Sequence, residues 1–163
     1  MRDPRYLEAG AEYTVGSRTN RGEMIFENID ARNLFISIIE RAKLKFDFQI
    51  HALCLMGNHF HMIIKPGKDE NLSKIMQWIK CVFAECYNIL MHLTGHVWGD
   101  RFFSRIIKNR QDFARTLQYI EENPVRAGLV KEAWEWKFWM YGAQWHHRVG
   151  AAKLVEPPDE IFL

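Results

Sequence analysis

The stretch from Phe48 to Lys65 decides the predicted fold: Phe-Gln-Ile-His-Ala-Leu-Cys-Leu-Met-Gly-Asn-His-Phe-His-Met-Ile-Ile-Lys. Apolar residues alternate with polar ones over much of Phe48 to Met56 and again from His59 to Lys65. A period of two is typical of β-strands, and the intervening Gly57-Asn58 pair is typical of a tight turn. The stretch therefore predicts an antiparallel hairpin.

Helical and extended segments flank this hairpin. We expect a strand over about residues 11–18, where Tyr13-Thr14-Val15 are β-forming residues. A helix should follow, because apolar residues recur at helical spacing after Asp30, its expected N-cap. Beyond the hairpin we expect a helix over about residues 71–93, a strand over Phe102–Lys108, and a helix from Asp112 to about Asn123 that Pro124 would end. This order predicts a ferredoxin-like α+β fold, an antiparallel sheet with helices on one face and the other face free for a site.

The composition is that of a globular protein, since 48% of the 163 residues are hydrophobic and 26% are charged. The chain has no internal repeat or linker-like segment, so we expect one domain over residues 1–163 with a tryptophan-rich extension over about residues 131–163. The aromatic residues of the extension favour packing, in a last helix or an irregular segment, over base stacking. They are Trp134, Trp136, Trp139, Tyr141 and Trp145.

No apolar run approaches the roughly 18 residues of a membrane span, and no apolar signal core follows the N-terminal residues. We therefore expect a cytoplasmic protein with no membrane partner. Cys81 and Cys86 are five residues apart and match no zinc knuckle, so the cysteines are expected to be buried, reduced thiols.

The formal net charge of +2 is too small to indicate nucleic-acid binding by itself. Local clusters of basic residues carry that argument instead, with a solvated basic face as the equally ordinary alternative. The candidate phosphate contacts are Arg18, Arg101, Arg105, Lys108, Arg110 and Arg126.

His59 and His61 project from the same face of the predicted strand, because side chains two apart share a face. Phe60 and Met62 point the other way and supply the buried side. Two imidazoles at this spacing can converge on one ion, although two merely exposed histidines would show the same spacing.

Tyr119 and Asn123 are four residues apart and share a helix face. A carboxamide and a phenol beside two imidazoles would form a mixed nitrogen and oxygen site that suits Mg²⁺ or Mn²⁺ with open positions. Tyrosine is a competent covalent nucleophile at a phosphate that a Lewis acid polarises. The alternative is an ordinary packed tyrosine whose hydroxyl reaches solvent.

Two motifs together resemble the single-tyrosine transposases of the His-hydrophobic-His nuclease superfamily, in particular those associated with repetitive extragenic palindromes. One motif runs from Cys54 to Ile64, and the other comprises Tyr119-Ile120 and the stretch from Asn123 to Val130, Asn-Pro-Val-Arg-Ala-Gly-Leu-Val. The resemblance extends over most of the chain, from the Tyr13-Thr14-Val15 segment to the C-terminal tryptophans.

The resemblance implies a ferredoxin-like domain in which His59, His61 and Asn123 hold a divalent ion and Tyr119 attacks a DNA phosphate. It implies a 5′-phosphotyrosine intermediate on single-stranded DNA next to a hairpin, in a cytoplasmic, nucleoid-associated protein of a prokaryote. Relatives include monomers and dimers that exchange the tyrosine helix, so a homodimer and a monomer both stay open. The competing hypotheses are a hairpin-binding protein that no longer cuts DNA and an unrelated metallohydrolase.

Overall fold

The computed structural model describes residues 6–141 and contains one five-stranded antiparallel sheet, in the order β4-β1-β3-β2-β5. The strands are β1 Tyr13–Arg18, β2 Phe48–Leu55, β3 His59–Pro66, β4 Phe103–Ile106 and β5 Trp139–Tyr141, and the helices are α1 Ile29–Lys45, α2 Leu72–Leu90, α3 Arg110–Glu121 and α4 Asn123–Arg126. The chain order of β1 to β4 with α1 and α2, and the spatial order β4-β1-β3-β2, are those of a ferredoxin-like domain. The predicted α+β fold class is confirmed.

Helices α1 and α2 pack on one face of the sheet, as predicted. Phe35 of α1 lies at the centre of this layer, with its ring centre 5.0 Å from that of Phe60 and 5.2 Å from that of Phe83. All three side chains are fully buried, and each such burial stabilises the fold by about 1.5–3 kcal/mol. This aromatic layer anchors β3 to the helices.

The opposite face is only partly free, because α3 crosses it. Ile120 packs there in a small apolar cluster with Ala52 and Cys54 of β2 and Ile63 of β3. The remainder of this face stays open toward β1 and β4. The expectation of helices on one face therefore holds for α1 and α2, and α3 forms a partial second layer.

The helix boundaries differ from the predicted ones. Helix α1 is capped by Asn28, whose Oδ1 accepts from the backbone N–H groups of Asp30 and Ala31, so the predicted cap Asp30 is wrong. The asparagine lies two residues before Asp30, which is itself inside the first turn of the helix. Helix α3 likewise begins at Arg110 rather than Asp112, because Asn109 caps it.

The tryptophan-rich segment forms no last helix within the described residues. It contains a single 3₁₀ turn, Ala133–Glu135, followed by β5, which pairs with β2. Trp136 packs against the small cluster beneath α3 and donates from Nε1 to the carbonyl of Leu55 at 3.1 Å, whereas Trp134 is 74% exposed. Packing is thus found for Trp136, and Trp145 lies outside the described residues.

The cysteines are free, and two of them are buried as expected, Cys54 and Cys86, whereas Cys81 is exposed on α2. Within residues 6–141, no helix is long and apolar enough to cross a membrane.

Candidate active site between the sheet and helix α3

The two histidines of β3 stand side by side on the open face of the sheet. Phe60 between them is fully buried on the other side, which fixes the direction of both imidazoles. The ring centres of His59 and His61 are 5.0 Å apart and the rings are nearly perpendicular, at 85°. The strand alternation read from the sequence therefore produces a converging pair of imidazoles.

Gly16 of β1 is the cross-strand partner of His61 and makes room for its ring. A Cβ atom built at Gly16 would lie 3.1 Å from the carbonyl oxygen of Phe60 and 3.3 Å from Nδ1 of His61. A side chain there would therefore push the imidazole or the neighbouring strand aside. The absence of a side chain at Gly16 keeps the sheet floor open next to His61.

A neighbouring amide fixes the tautomer of His59. Nδ1 of His59 lies 2.7 Å from Oδ1 of Asn58, while Nδ2 of Asn58 donates to the carbonyl of Gly22 at 3.4 Å. Because the Gly22 carbonyl orients the amide nitrogen, the amide oxygen faces the ring and Nδ1 must be the protonated nitrogen. Nε2 of His59 consequently keeps its lone pair.

Both imidazoles are held neutral. Burial lowers the pKa of His61 to about 4, and the proximity of His59 and Arg18 adds to this lowering. Burial and the charge of Arg18 also lower the pKa of His59, and the nearby Asn123 amide has a smaller, opposite effect. Neutral imidazoles are the form in which histidine ligates metals.

The residues Tyr119 and Asn123 reach the histidines from the end of α3. Helix α3 ends at Glu121 and α4 begins at Asn123, with Pro124 in its first turn, yet both side chains line the same groove as His59 and His61. The ring centre of Tyr119 lies 5.9 Å from that of His61. The structure thus brings together all four residues predicted from the two motifs.

The guanidinium of Arg126 lies over the exposed ring of Tyr119. Its guanidinium carbon lies 4.9 Å from the ring centre, and its Nη2 pairs with Glu122 at 2.8 Å. A cation over the face of an aromatic ring stabilises the arrangement by about 0.5–1 kcal/mol at exposed positions. Arg126 was predicted to contact DNA, and here it touches the candidate nucleophile.

The groove is an open cavity of about 780 Å³ between α3 and the β4 end of the sheet. Three of the predicted phosphate contacts line it, Arg18, Arg101 and Arg105. Arg105 is bound to Asp112 at 2.7 Å and to Thr116 at 3.0 Å, so it also ties β4 to α3.

Lys108 and Arg110 lie elsewhere, along a second cavity that Glu12 and His51 also line. Strand β4 ends at Ile106, so the predicted strand Phe102–Lys108 is shorter than expected and ends before both residues. The structure does not bring them to the histidines, and their contact with DNA stays a prediction.

Arg115, Asn58 and Gly16 were not predicted as site residues, and neither was Phe103, which also lines the groove. Arg115 lines the groove and precedes Tyr119 by four residues, so the helical spacing that joined Tyr119 to Asn123 would have found it. Gly16 acts through the strand register and Asn58 through a side-chain contact set by the turn conformation, and a single sequence carries no clear signal for either.

Comparison with known proteins identifies the family. Residues 12–123 match the family described as "Transposase IS200 like". This chain belongs to the IS200-like transposase family. The resemblance to single-tyrosine transposases is thereby confirmed, and DNA transposition is the family's activity.

Two curated relatives agree with this assignment. The REP-associated tyrosine transposase of Escherichia coli is 27% identical over 135 residues, which cover 82% of this chain and 77% of that protein. A putative REP-associated tyrosine transposase of Haemophilus influenzae is 27% identical over 119 residues, covering 67% of this chain and 68% of that one.

Two solved structures share the fold. A REP-associated tyrosine transposase bound to a REP hairpin superposes with a TM-score of 0.73 at 23% identity, over 96% of this chain and 88% of that one. A putative transposase from Deinococcus radiodurans superposes with a TM-score of 0.50 at 16% identity, over 75% of this chain and 97% of that one.

The orientation of His59 by Asn58 is testable. In metal-free protein at pH 8, we expect ¹⁵N shifts of His59 that correspond to the Nδ1–H tautomer. Asn58→Ala removes the acceptor and should shift His59 toward a mixture of tautomers, whereas Asn58→Asp keeps an acceptor and should preserve the Nδ1–H form. A wild-type His59 in the Nε2–H form would contradict the assignment.

The titration of His61 gives a second prediction. With chelator present, its Cε1–H resonance should titrate near pH 4, well below the ordinary value of 6.5, because burial disfavours the imidazolium. Between these two pH values the unfolded chain binds more protons than the folded one. His61 is therefore expected to make the fold less stable as pH falls from about 6.5 to about 4, and His61→Gln should flatten that part of the stability curve. A midpoint near 6.5 would contradict the described burial.

Proposed function

We propose that this protein cuts and rejoins single-stranded DNA beside hairpins, with Tyr119 as the nucleophile and with Mg²⁺ or Mn²⁺ held by His59, His61 and Asn123. The contact between Tyr119 and His61, in an arginine-lined groove of a transposase-family chain, carries this proposal. The REP hairpin bound by the structural relative motivates the choice of a hairpin-bearing strand. Such a substrate would place the protein on the nucleoid in a prokaryotic cytoplasm.

The spacing of the imidazoles fits a shared divalent ion. Each imidazole would contribute one ring nitrogen as a ligand, so the two rings must lie close together to share an ion. The observed separation of the ring centres of His59 and His61 is 5.0 Å. The lowered pKa values of both rings favour the neutral form, whose lone pair can bind a metal.

Asn123 completes the ligand set. Its side chain lies next to His59, and its buried Nδ2 has no hydrogen-bond partner among the described residues. One amide oxygen and two imidazole nitrogens would form a mixed donor set that suits Mg²⁺ or Mn²⁺ with open positions. Within residues 6–141, no three His, Cys, Asp or Glu side chains form such a group, and Asn123 is the third protein ligand in this proposal.

The proposed reaction is a transesterification at phosphorus. When bound, the divalent ion would polarise the scissile phosphate. The Tyr119 phenol loses its proton to the solvent that reaches this exposed side chain, and its oxygen forms a bond to phosphorus. The bond from phosphorus to the 3′-oxygen breaks, and that oxygen takes a proton from water. The products are a 5′-phosphotyrosine and a free 3′-hydroxyl, and attack by a 3′-hydroxyl reverses the step.

Basic side chains would position the strand. Arg18 and Arg101 line the groove beside the histidines, and Arg115 lies one helical turn before Tyr119. The guanidinium of Arg126 lies over the ring of Tyr119, and that ring is next to His61. The contact within one chain supports cleavage by a chain's own tyrosine, and a homodimer remains compatible with this arrangement.

The covalent intermediate provides the direct test. Incubating the protein with Mn²⁺ and a hairpin-bearing single strand should give an adduct that survives denaturing electrophoresis. A label at the 3′ end of the oligonucleotide should move with the protein and a label at the 5′ end should not, because Tyr119 takes the 5′-phosphate. Tyr119→Phe should abolish the adduct, since it removes only the hydroxyl.

The matched control is Tyr6→Phe, because Tyr6 is also exposed, at 78%, and does not line the groove. It should leave the adduct yield unchanged. Binding of hairpin strands without any adduct, across a broad oligonucleotide set, would instead indicate a hairpin-binding protein that does not cut. An equal adduct yield from Tyr119→Phe would exclude Tyr119 as the nucleophile.

A further inference from the structure

The open part of the groove contains an exposed aromatic side chain that neither motif includes. Phe103 of β4 lines the groove and is 62% exposed, whereas its neighbour Phe102 is buried. A single exposed apolar residue is ordinary on a protein surface. The neighbours of Phe103, rather than its exposure, give it significance.

Phe103 belongs to a row of residues that runs across the sheet to the candidate active site. Phe103 pairs with Gly16 of β1, and Gly16 pairs with His61 of β3. Cross-strand partners face the same side, and neighbouring strands are about 4.8 Å apart, so Phe103 lies about 10 Å from His61 along the sheet. The missing side chain at Gly16 leaves the floor between them clear.

Basic residues lie on both sides of Phe103 in β4 and the segment before it. Arg101 and Arg105 are two positions away in either direction and line the same groove. Residues two apart in an extended segment share a face, so the three side chains lie on the groove side, with the Arg105 guanidinium held by Asp112 and Thr116. Aromatic rings that stack bases, flanked by cations that contact phosphates, are the recurring arrangement of single-strand binding grooves.

We propose that Phe103 is a nucleobase-stacking site for the DNA strand, holding a base next to the phosphate that Tyr119 attacks. This inference rests on the proposed function, since it takes single-stranded DNA as the occupant of the groove. The gap above Gly16 accommodates the backbone between the stacked base and the scissile phosphate. A single-stranded occupant is required, because a paired base does not offer its face for stacking on a side chain.

Fluorescence anisotropy tests this site by measuring the equilibrium binding of a hairpin-bearing strand. A chelator is present to prevent cleavage. Phe103→Leu and Phe103→Ala should each raise Kd by about 5- to 100-fold, whereas Phe103→Trp should bind like wild type. Leucine keeps an apolar surface without a π-face, so the pair Phe103→Leu and Phe103→Trp separates stacking from burial. Trp134→Ala is the matched control for an exposed aromatic outside the groove and should have no effect.

The salt dependence of binding gives a second readout. Phe103→Leu should leave the slope of log Kd against log salt concentration unchanged, because it removes no phosphate contact. Arg101→Ala should reduce that slope by about 0.7, the value for one phosphate contact on a single strand. A DNA strand can also carry the fluorescent base 2-aminopurine near the cleavage position. Binding to the Phe103→Trp variant should quench the fluorescence of that base.

The outcomes separate this inference from the proposed function. The stacking site is overturned if Phe103→Leu binds the strand as tightly as the wild-type protein, or if Trp134→Ala loses as much affinity as Phe103→Leu. Either result leaves the nuclease proposal intact. Strand binding that depends on Phe103, in a protein that forms no tyrosine adduct, supports the stacking site and overturns the nuclease proposal. A wild-type protein that binds no single strand overturns both.

Discussion

The pleat of β3 is the constraint on which the site depends. Phe60 and Met62 are fully buried in the aromatic layer under α1, so the residues beside them, His59 and His61, must face the opposite side of the sheet. A slip of one residue would bring His61 into the core and Phe60 into the groove, at a cost of several kcal/mol from the exposed ring and the buried imidazole. The histidine pair is therefore held in place by the hydrophobic core itself.

The tyrosine side of the site is attached less firmly. Helix α3 buries only Thr116 and Ile120, whereas α1 buries ten of its residues. The exposed ion pair between Arg105 and Asp112 adds about 0–1 kcal/mol. Elements with few buried contacts are the ones that open most easily. Helix α3, which carries the proposed nucleophile Tyr119, is therefore expected to open more easily than the strand that carries the histidine pair.

Most of the fold and the core of the site could be predicted from the sequence. The two-residue period from Phe48 to Lys65 and the helical spacing of the flanking segments are local signals, and they predicted the hairpin, both sheet-packing helices and the facing of His59 and His61. The details that failed depend on tertiary contacts. Neighbours distant in sequence determine where β4 ends and how α3 packs on the second face of the sheet. The choice of Asn28 over Asp30 as the cap depends on the exact start of α1. The role of Gly16 depends on the register of β1 and β3, and that of Asn58 on the turn before β3, and neither can be read from the sequence.

The central claim is that His59 and His61 bind one divalent ion next to Tyr119. Electron spin echo envelope modulation (ESEEM) tests this claim most directly, because the method detects and counts the imidazole nitrogens bound to Mn²⁺. The ion is added at one equivalent. The account predicts coupling to two imidazole nitrogens in the wild-type protein, and to one in His59→Ala and in His61→Ala. Bound Mn²⁺ that shows no imidazole coupling in the wild-type protein would contradict it.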